Sequence, residues 1–315
     1  MTLHKLLAGL LLLQVGFVAL AWWPEDRSAL APRSLLEIER EEIVGLRIAL
    51  KPAEGREADA LQLARGDEGW TLASAGGYPA SPEKIDELLD KLVGLEVQSP
   101  IATRSENHNA LKVGEKEYGR RVEIETASGS VELVIGAAAS NSIHVRLADA
   151  SEVYLARVLS EWSLRDTART YYEADYVQAD VSALTQLVVQ NQNGTLSFVR
   201  EGGAWRLEEA PEGGVLDQEE IESFLATVTE VRIAEPVGRE LEPEYGLGAE
   251  ASGVRVDWAL EAENQSVAGG YRLGASVESQ TYVKAADHPF VIKAADSGFE
   301  RLREAKLADF IEDEG

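Results

Sequence analysis

The sequence has no cysteine. Disulfides, thiol nucleophiles, thiolate metal sites and a lipid-modified cysteine anchor are excluded together. Histidine is scarce: His4, His108, His144 and His288 lie far apart, and no HExxH pattern occurs. A histidine-built metal centre therefore has no local signature. GxxxxGK(S/T), a GxGxxG after a strand, and GxSxG are all missing, so neither a phosphate-cradling loop nor the common serine nucleophile is supported. Basic residues are the minority, 30 against 55 acidic ones, for a formal charge of -25. That sign repels nucleic acid and anionic lipid headgroups, and no nucleic-acid partner is expected.

The acidic excess carries no chemistry of its own. Glu39-Glu41-Glu42 and Glu240-Glu242-Glu244 lack the spacing that wraps one calcium ion, and they read as solvated faces. No carboxylate pair is singled out for glycoside hydrolysis. Asn193-Gly194-Thr195 and Asn264-Gln265-Ser266 match glycosylation sequons at chance frequency. No catalytic, cofactor-binding or metal-ligating residue is expected, no cofactor is implied, and the chain reads as not being an enzyme.

What is present begins at the N-terminus. Residues Leu6 to Trp23 form an uncharged run of 18, with Gln14 its one strongly polar side chain. As a helix it spans about 27 Å, close to the hydrocarbon thickness of a bilayer. Lys5 precedes it, Glu25, Asp26 and Arg27 follow it, and Trp22 and Trp23 stand where an interfacial belt belongs. The charge asymmetry predicts a single-pass inner-membrane anchor over residues 1–24, N-terminus cytoplasmic and the bulk periplasmic. The competing reading is a cleaved signal peptide, since Ala19-Leu20-Ala21 has the small-x-small pattern. Both readings export the rest. Pro24 ends the helix, and residues 25–36 with Pro32 form a linker.

The whole chain is 45% apolar, and its 315 residues leave room for two domains of about 150 residues each. The part after the linker is written twice. Ser81-Pro82 opens a helix with Ile85, Leu88, Leu89 and Leu92 on one face. Asp217, with Glu220 three residues on, opens another as a capping box, with Ile221, Phe224, Leu225 and Val228 on its face. From Ile85 to Ile221 is 136 positions, and the same step carries Leu95 to Val231 and Val97 to Ile233. Trp70 matches Trp205, Ile135-Gly136 matches Leu273-Gly274, His144-Val145-Arg146 matches Tyr282-Val283-Lys284, and Val153-Tyr154-Leu155 matches Phe290-Val291-Ile292. An ordered series at nearly constant offset signals duplication.

Each copy opens with alternating strands ending at its tryptophan. In the second these are Leu184–Gln190 and Thr195–Arg200, joined through Asn193-Gly194. In the first, Val122, Ile124 and Thr126 alternate, and Val131, Leu133 and Ile135 return after Ser128-Gly129. The fold class read from this is α+β: an N-terminal transmembrane helix, then two repeats over 37–175 and 176–315, each an antiparallel sheet with one packed helix. Trp70 and Trp205 read as core residues, and Phe299–Ile311 as a closing amphipathic helix.

These residues resemble the DUF 4340 family, a domain of unknown function often found twice per chain. The resemblance rests on the helix with Ile85, Leu88, Leu89, Leu92, Leu95 and Val97, on Glu244-Tyr245-Gly246-Leu247, on the hydrophobic-Gly hairpin, on the Tyr-Val-Lys strand and on Leu164-Arg165-Asp166. It covers residues 37–311. The first copy departs from it, with a longer polar stretch, Asn107–Gly119, at the Tyr-Gly-Leu position. The resemblance implies an accessory or scaffold subunit of an ABC-type exporter, partnered by its permease or an auxiliary subunit, and supplies no catalytic residues. The alternative is an envelope hydrolase or carbohydrate-binding module whose site is assembled from distant residues. The anchor makes the first testable expectation: the full chain stays in the membrane fraction through a carbonate wash. A soluble mature chain beginning near Trp22 would show that cleavage is the right reading.

Overall fold

The computed structural model describes residues 14, 31–52, 60–157, 164, 167–211, 214–248, 253–262 and 265–312. Apart from Gln14, the expected membrane span lies outside them, as do His4 and Asn264. Among the described residues no helix is long and apolar enough to cross a membrane. The chain divides into two compact units, one of Met1–Ile43, Ile48–Asp59 and Leu88–Arg165, the other of Val44–Arg47, Ala60–Glu87 and Asp166–Gly315.

The architecture is mostly antiparallel sheet with few helices. The first large sheet uses β2 (Ile43–Leu50), β3 (Ala60–Gly66), β4 (Gly69–Leu72), β5 (Tyr78–Pro79), β7 (Arg120–Thr126), β8 (Gly129–Ala139), β9 (Ser142–Leu147) and β10 (Tyr154–Ala156). Its order is β5-β4-β3-β2-β7-β8-β9-β10. The second uses β12 (Leu184–Asn191), β13 (Gly194–Glu201), β14 (Ala204–Leu207), β16 (Glu235–Gly238), β17 (Arg255–Ala262), β18 (Gln265–Val277), β19 (Gln280–Ala285) and β20 (Val291–Ala295). Its order is β14-β13-β12-β17-β18-β19-β20-β16. Seven strands therefore run in the same order in both, β4 matching β14 and β10 matching β20. The small sheets match too: β1 (Arg33–Ser34) pairs with β6 (Glu96–Val97), and β11 (Asp175–Gln178) with β15 (Glu230–Arg232).

Each copy has one main helix, α1 (Pro82–Val93) and α2 (Gln218–Val228), placed after its tryptophan hairpin. Ile85, Leu88, Leu89 and Leu92 are buried, and so are Ile221, Phe224, Leu225 and Val228. Each such side chain contributes about 1.5–3 kcal/mol over the exposed state, so the apolar stripe rather than helix propensity holds these short helices. Asp217 caps α2 through the Glu220 N–H at 3.0 Å. The expected box is only half formed, because the Glu220 carboxylate turns instead to Arg301.

Several local expectations need correction. Trp205 is buried, but Trp70 is only half-buried. Both sit opposite an arginine, Arg65 and Arg200, so the register is the same and the surroundings differ. Gln218 binds the Trp205 backbone N–H and C=O at 2.8 and 3.0 Å. Pro82 stands at the matching position and cannot do this, and β4 pairs onward with β5 instead. The turn between β12 and β13 is centred on Gln192 and Asn193, with Gly194 opening the next strand at φ 125°. Phe299–Ile311 is not one helix. It breaks into a 3-10 turn (Asp296–Phe299), α3 (Glu300–Glu304) and a second 3-10 turn (Leu307–Phe310). Amides of Asn191 and Asn193 take the carbonyls of Leu302, Glu304 and Ala305 at 2.8–3.0 Å, ending the helix there. The chain beyond it is free to insert Phe310 against Phe198 and Phe224, each at 5.1 Å between ring centroids.

Truncating the helix faces should be costly in both copies. Leu89→Ala and Leu225→Ala are each expected to lower stability by about 2–5 kcal/mol, read from the midpoint of urea unfolding. A loss below about 1 kcal/mol at either position would show that the side chain is not part of a core.

Candidate functional site

In both copies the outer face of the sheet, opposite the helix, is crossed by a loop. In the second copy the loop is Glu240-Leu241-Glu242, a 3-10 turn (Pro243–Tyr245), Gly246 and Leu247. The Tyr245 carbonyl lies against Gly274, where an added Cβ would overlap it. In the first copy the carbonyl of Leu111 lies against Gly136 in the same way. Both glycines sit at a register shift, between Leu273 and Ser276 and between Ile135 and Ala138. Leu111-Lys112-Val113 is thus the counterpart of Tyr245-Gly246-Leu247, which the polar reading of Asn107–Gly119 overlooked. Lys112 takes φ 58° where Gly246 takes 64°, a left-handed conformation that strains a side-chain-bearing residue. Hydrogen bonds hold it there, from the Lys112 N–H to Asn109 and from the Gly119 N–H to Lys112, both 3.2 Å.

A cation on the outer face of each sheet is held by backbone carbonyls, and in the first copy it also ties the loop to the sheet. Arg146 is 5% exposed. Its Nε donates to the Val113 carbonyl at 2.8 Å, and Nη1 to the carbonyls of Leu147, Ala148 and Ala150 at 2.9–3.0 Å. Burial lowers its pKa, with Arg121 acting in the same direction. Lys284, its counterpart, donates to Ala285 and His288 carbonyls at 2.7 and 2.6 Å, and burial lowers its pKa too. These are cations satisfied by backbone carbonyls.

The two outer faces then diverge. Across the first sheet Arg121, Val134 and Arg146 stand in one row. Val134 is sealed in a small core with Val113 and Val153, flanked by Leu111 and Tyr118. Arg121 pairs with Glu132 at 2.5 Å. Across the second sheet the row is Arg255, Arg272 and Lys284, on three adjacent strands in direct register. Side chains directly opposite lie about 5 Å apart at Cβ. Arg255 is answered by Asp257, Nε–Oδ2 2.6 Å and Nη2–Oδ1 2.9 Å. Lys284 has its carbonyls. The half-buried Arg272 side chain makes no hydrogen bond or ion pair among the described residues. The row lines a recess of about 210 Å³ walled by Leu241 and Leu247, and Arg255, Arg272 and Leu247 also line a second of about 110 Å³. Leu241 is 57% exposed. Glu240, Glu242 and Glu244 face solvent, and none pairs with the row.

The other polar clusters are structural. His108 Nε2 meets the Ser151 carbonyl at 2.9 Å. His144 lies half-buried on β9, and its buried Nδ1 makes no hydrogen bond among the described residues. His288 accepts the Phe290 N–H on Nδ1 at 3.2 Å, and burial lowers its pKa. It lies among Tyr78, Tyr176 and Phe290. Tyr176 gives its hydroxyl proton to the Phe290 carbonyl at 2.6 Å, and burial pushes its pKa up to about 12. Glu42 caps the turn at Glu39, and the Asn193 amide is committed to Glu304. Among the described residues no group of His, Asp and Glu is arranged to hold a metal. A wider recess of about 490 Å³ beside the end of α2 is walled by Ala226, Ala294, Ala295 and Phe299, with Glu230 and Arg232 facing it. Arg232 is paired with Asp175 at 3.3 Å. The signal for the cationic row is in cross-strand register, so no linear motif could have found it.

These features define a duplicated antiparallel-sheet protein whose copies share a core and differ on the outer face. The chain matches, over residues 70–250, the family described as "Domain of unknown function (DUF4340)", and it belongs to that family. No curated protein and no solved structure matches it.

The carbonyl-bound cation gives a stability prediction. Arg146→Met should cost about 3 kcal/mol, because it strands buried carbonyls. Lys284→Met should cost less, since that site is only half-buried. Equal stability of Arg146→Met and the unaltered chain in urea unfolding would contradict the assignment.

Proposed function

We propose that this chain is a non-catalytic, membrane-tethered protein of the cell envelope that holds a partner beside the bilayer. The partner suggested by the family resemblance is the permease or an auxiliary subunit of an ABC-type exporter. The observation that carries the reading is the divergence of the outer faces. One copy seals its face with Val113, Val134 and Val153, and the other leaves Arg272 beside an exposed Leu241. Guanidinium and ammonium groups arranged on one face suit an anionic or polar surface.

The tether adds a physical advantage. Residues 24–31 separate the apolar run from Pro32, and eight extended residues reach at most about 30 Å. A partner confined to the same membrane is met at high effective concentration, so weak contacts suffice.

Cross-linking the full chain in native membranes should yield an adduct with an exporter permease or auxiliary subunit. Severing the tether should abolish that adduct while the exported region keeps its unfolding transition. Turnover of a glycan or peptide by the exported region, lost on replacing one carboxylate, would sink the reading and favour a hydrolase.

A further inference from the structure

We propose that the outer-face recess of the second sheet binds a small oxyanion, a carboxylate or phosphate group, with Arg272 as its principal ligand. The inference rests on reading this face as a holding surface and names the chemistry it holds. Three cationic side chains stand side by side in register on adjacent strands of a chain with a net charge of -25. Two of the three are neutralised or satisfied internally, Arg255 by Asp257 and Lys284 by the Ala285 and His288 carbonyls. Among the described residues Arg272 is the one left without a side-chain partner, and it lines both recesses.

The recess already shows how it treats a carboxylate. Arg255 grips Asp257 with two parallel N–H···O bonds, the planar fork that suits carboxylate and phosphate alike. Arg272, directly opposite Arg255, offers a second fork one strand over. Leu241 and Leu247 wall the same space, which favours an anion carrying a short apolar part. Volumes of about 210 and 110 Å³ admit one small group rather than a polymer. The first copy is the built-in control: the position matching Arg272 is Val134, fully buried under Val113 and Val153, and no anion could enter there.

The test is calorimetric titration of the detergent-solubilised full chain, with inorganic phosphate in one arm and succinate in the other. Saturable binding is expected in at least one arm, and the better arm identifies a phosphate or a carboxylate ligand. Binding should weaken on raising the salt concentration. Arg272→Val, which installs the residue of the first copy, should weaken it by about tenfold or more. If Arg272→Val loses its unfolding transition, the exposed Arg255→Gln supplies the reading: weaker binding supports the assignment, and unchanged binding overturns it. No saturable binding in either arm, or equal binding by Arg272→Val, also overturns it. Should neither anion bind while the chain still cross-links to an exporter subunit, the oxyanion site falls and the holding role stands.

Discussion

A loop can cross a strand closely only where the strand has no side chain beneath it. That steric constraint organises both copies of this protein. Gly136 and Gly274 each lie under a loop carbonyl, and each sits at the register shift of its long strand. The close crossing brings Val113 and Leu247 down onto the outer face of the sheet, where both are buried. It also brings the Val113 carbonyl within reach of Arg146. Substituting either glycine would push the loop away and strip the outer face of its cover. The helix side needs no such device, because the stripes of α1 and α2 bury themselves against the sheet.

From a shared scaffold the copies have gone different ways. A valine in the middle of the row lets the first loop close over an apolar patch. An arginine in the same place keeps the second face polar and partly open. The first face is closed by apolar contacts, whereas the second keeps Arg272 in a recess with no side-chain partner among the described residues.

Much of the scaffold was legible in the sequence, for physical reasons. The helices repeat with a period that strands cannot imitate, and the tryptophans mark the same hairpin in register with Arg65 and Arg200. What was illegible depended on partners far along the chain. Leu111-Lys112-Val113 shares no residue with Tyr245-Gly246-Leu247, because backbone shape is conserved there and side chains are not. Trp70 is only half-buried, and where Gln218 binds the Trp205 backbone the first copy has Pro82, the Trp70 carbonyl taking the Ala80 N–H instead. The break after Glu304 is imposed by Asn191 and Asn193, more than a hundred residues earlier. The cationic row exists only once three strands are paired, so composition and motif could not reveal it.

Amide hydrogen exchange on the full chain, resolved by peptide, measures the central contrast directly. If the first outer face is sealed and the second open, the amides of Leu111 and Val113, which donate to Asn107 and His108 at 3.2 and 2.9 Å, should exchange slowly. Those of Tyr245 and Gly246, which donate to Glu242 and Pro243 within the 3-10 turn at 3.1 and 3.2 Å, should exchange much faster. Equal protection of the two loops, or slower exchange in the second, would contradict the account.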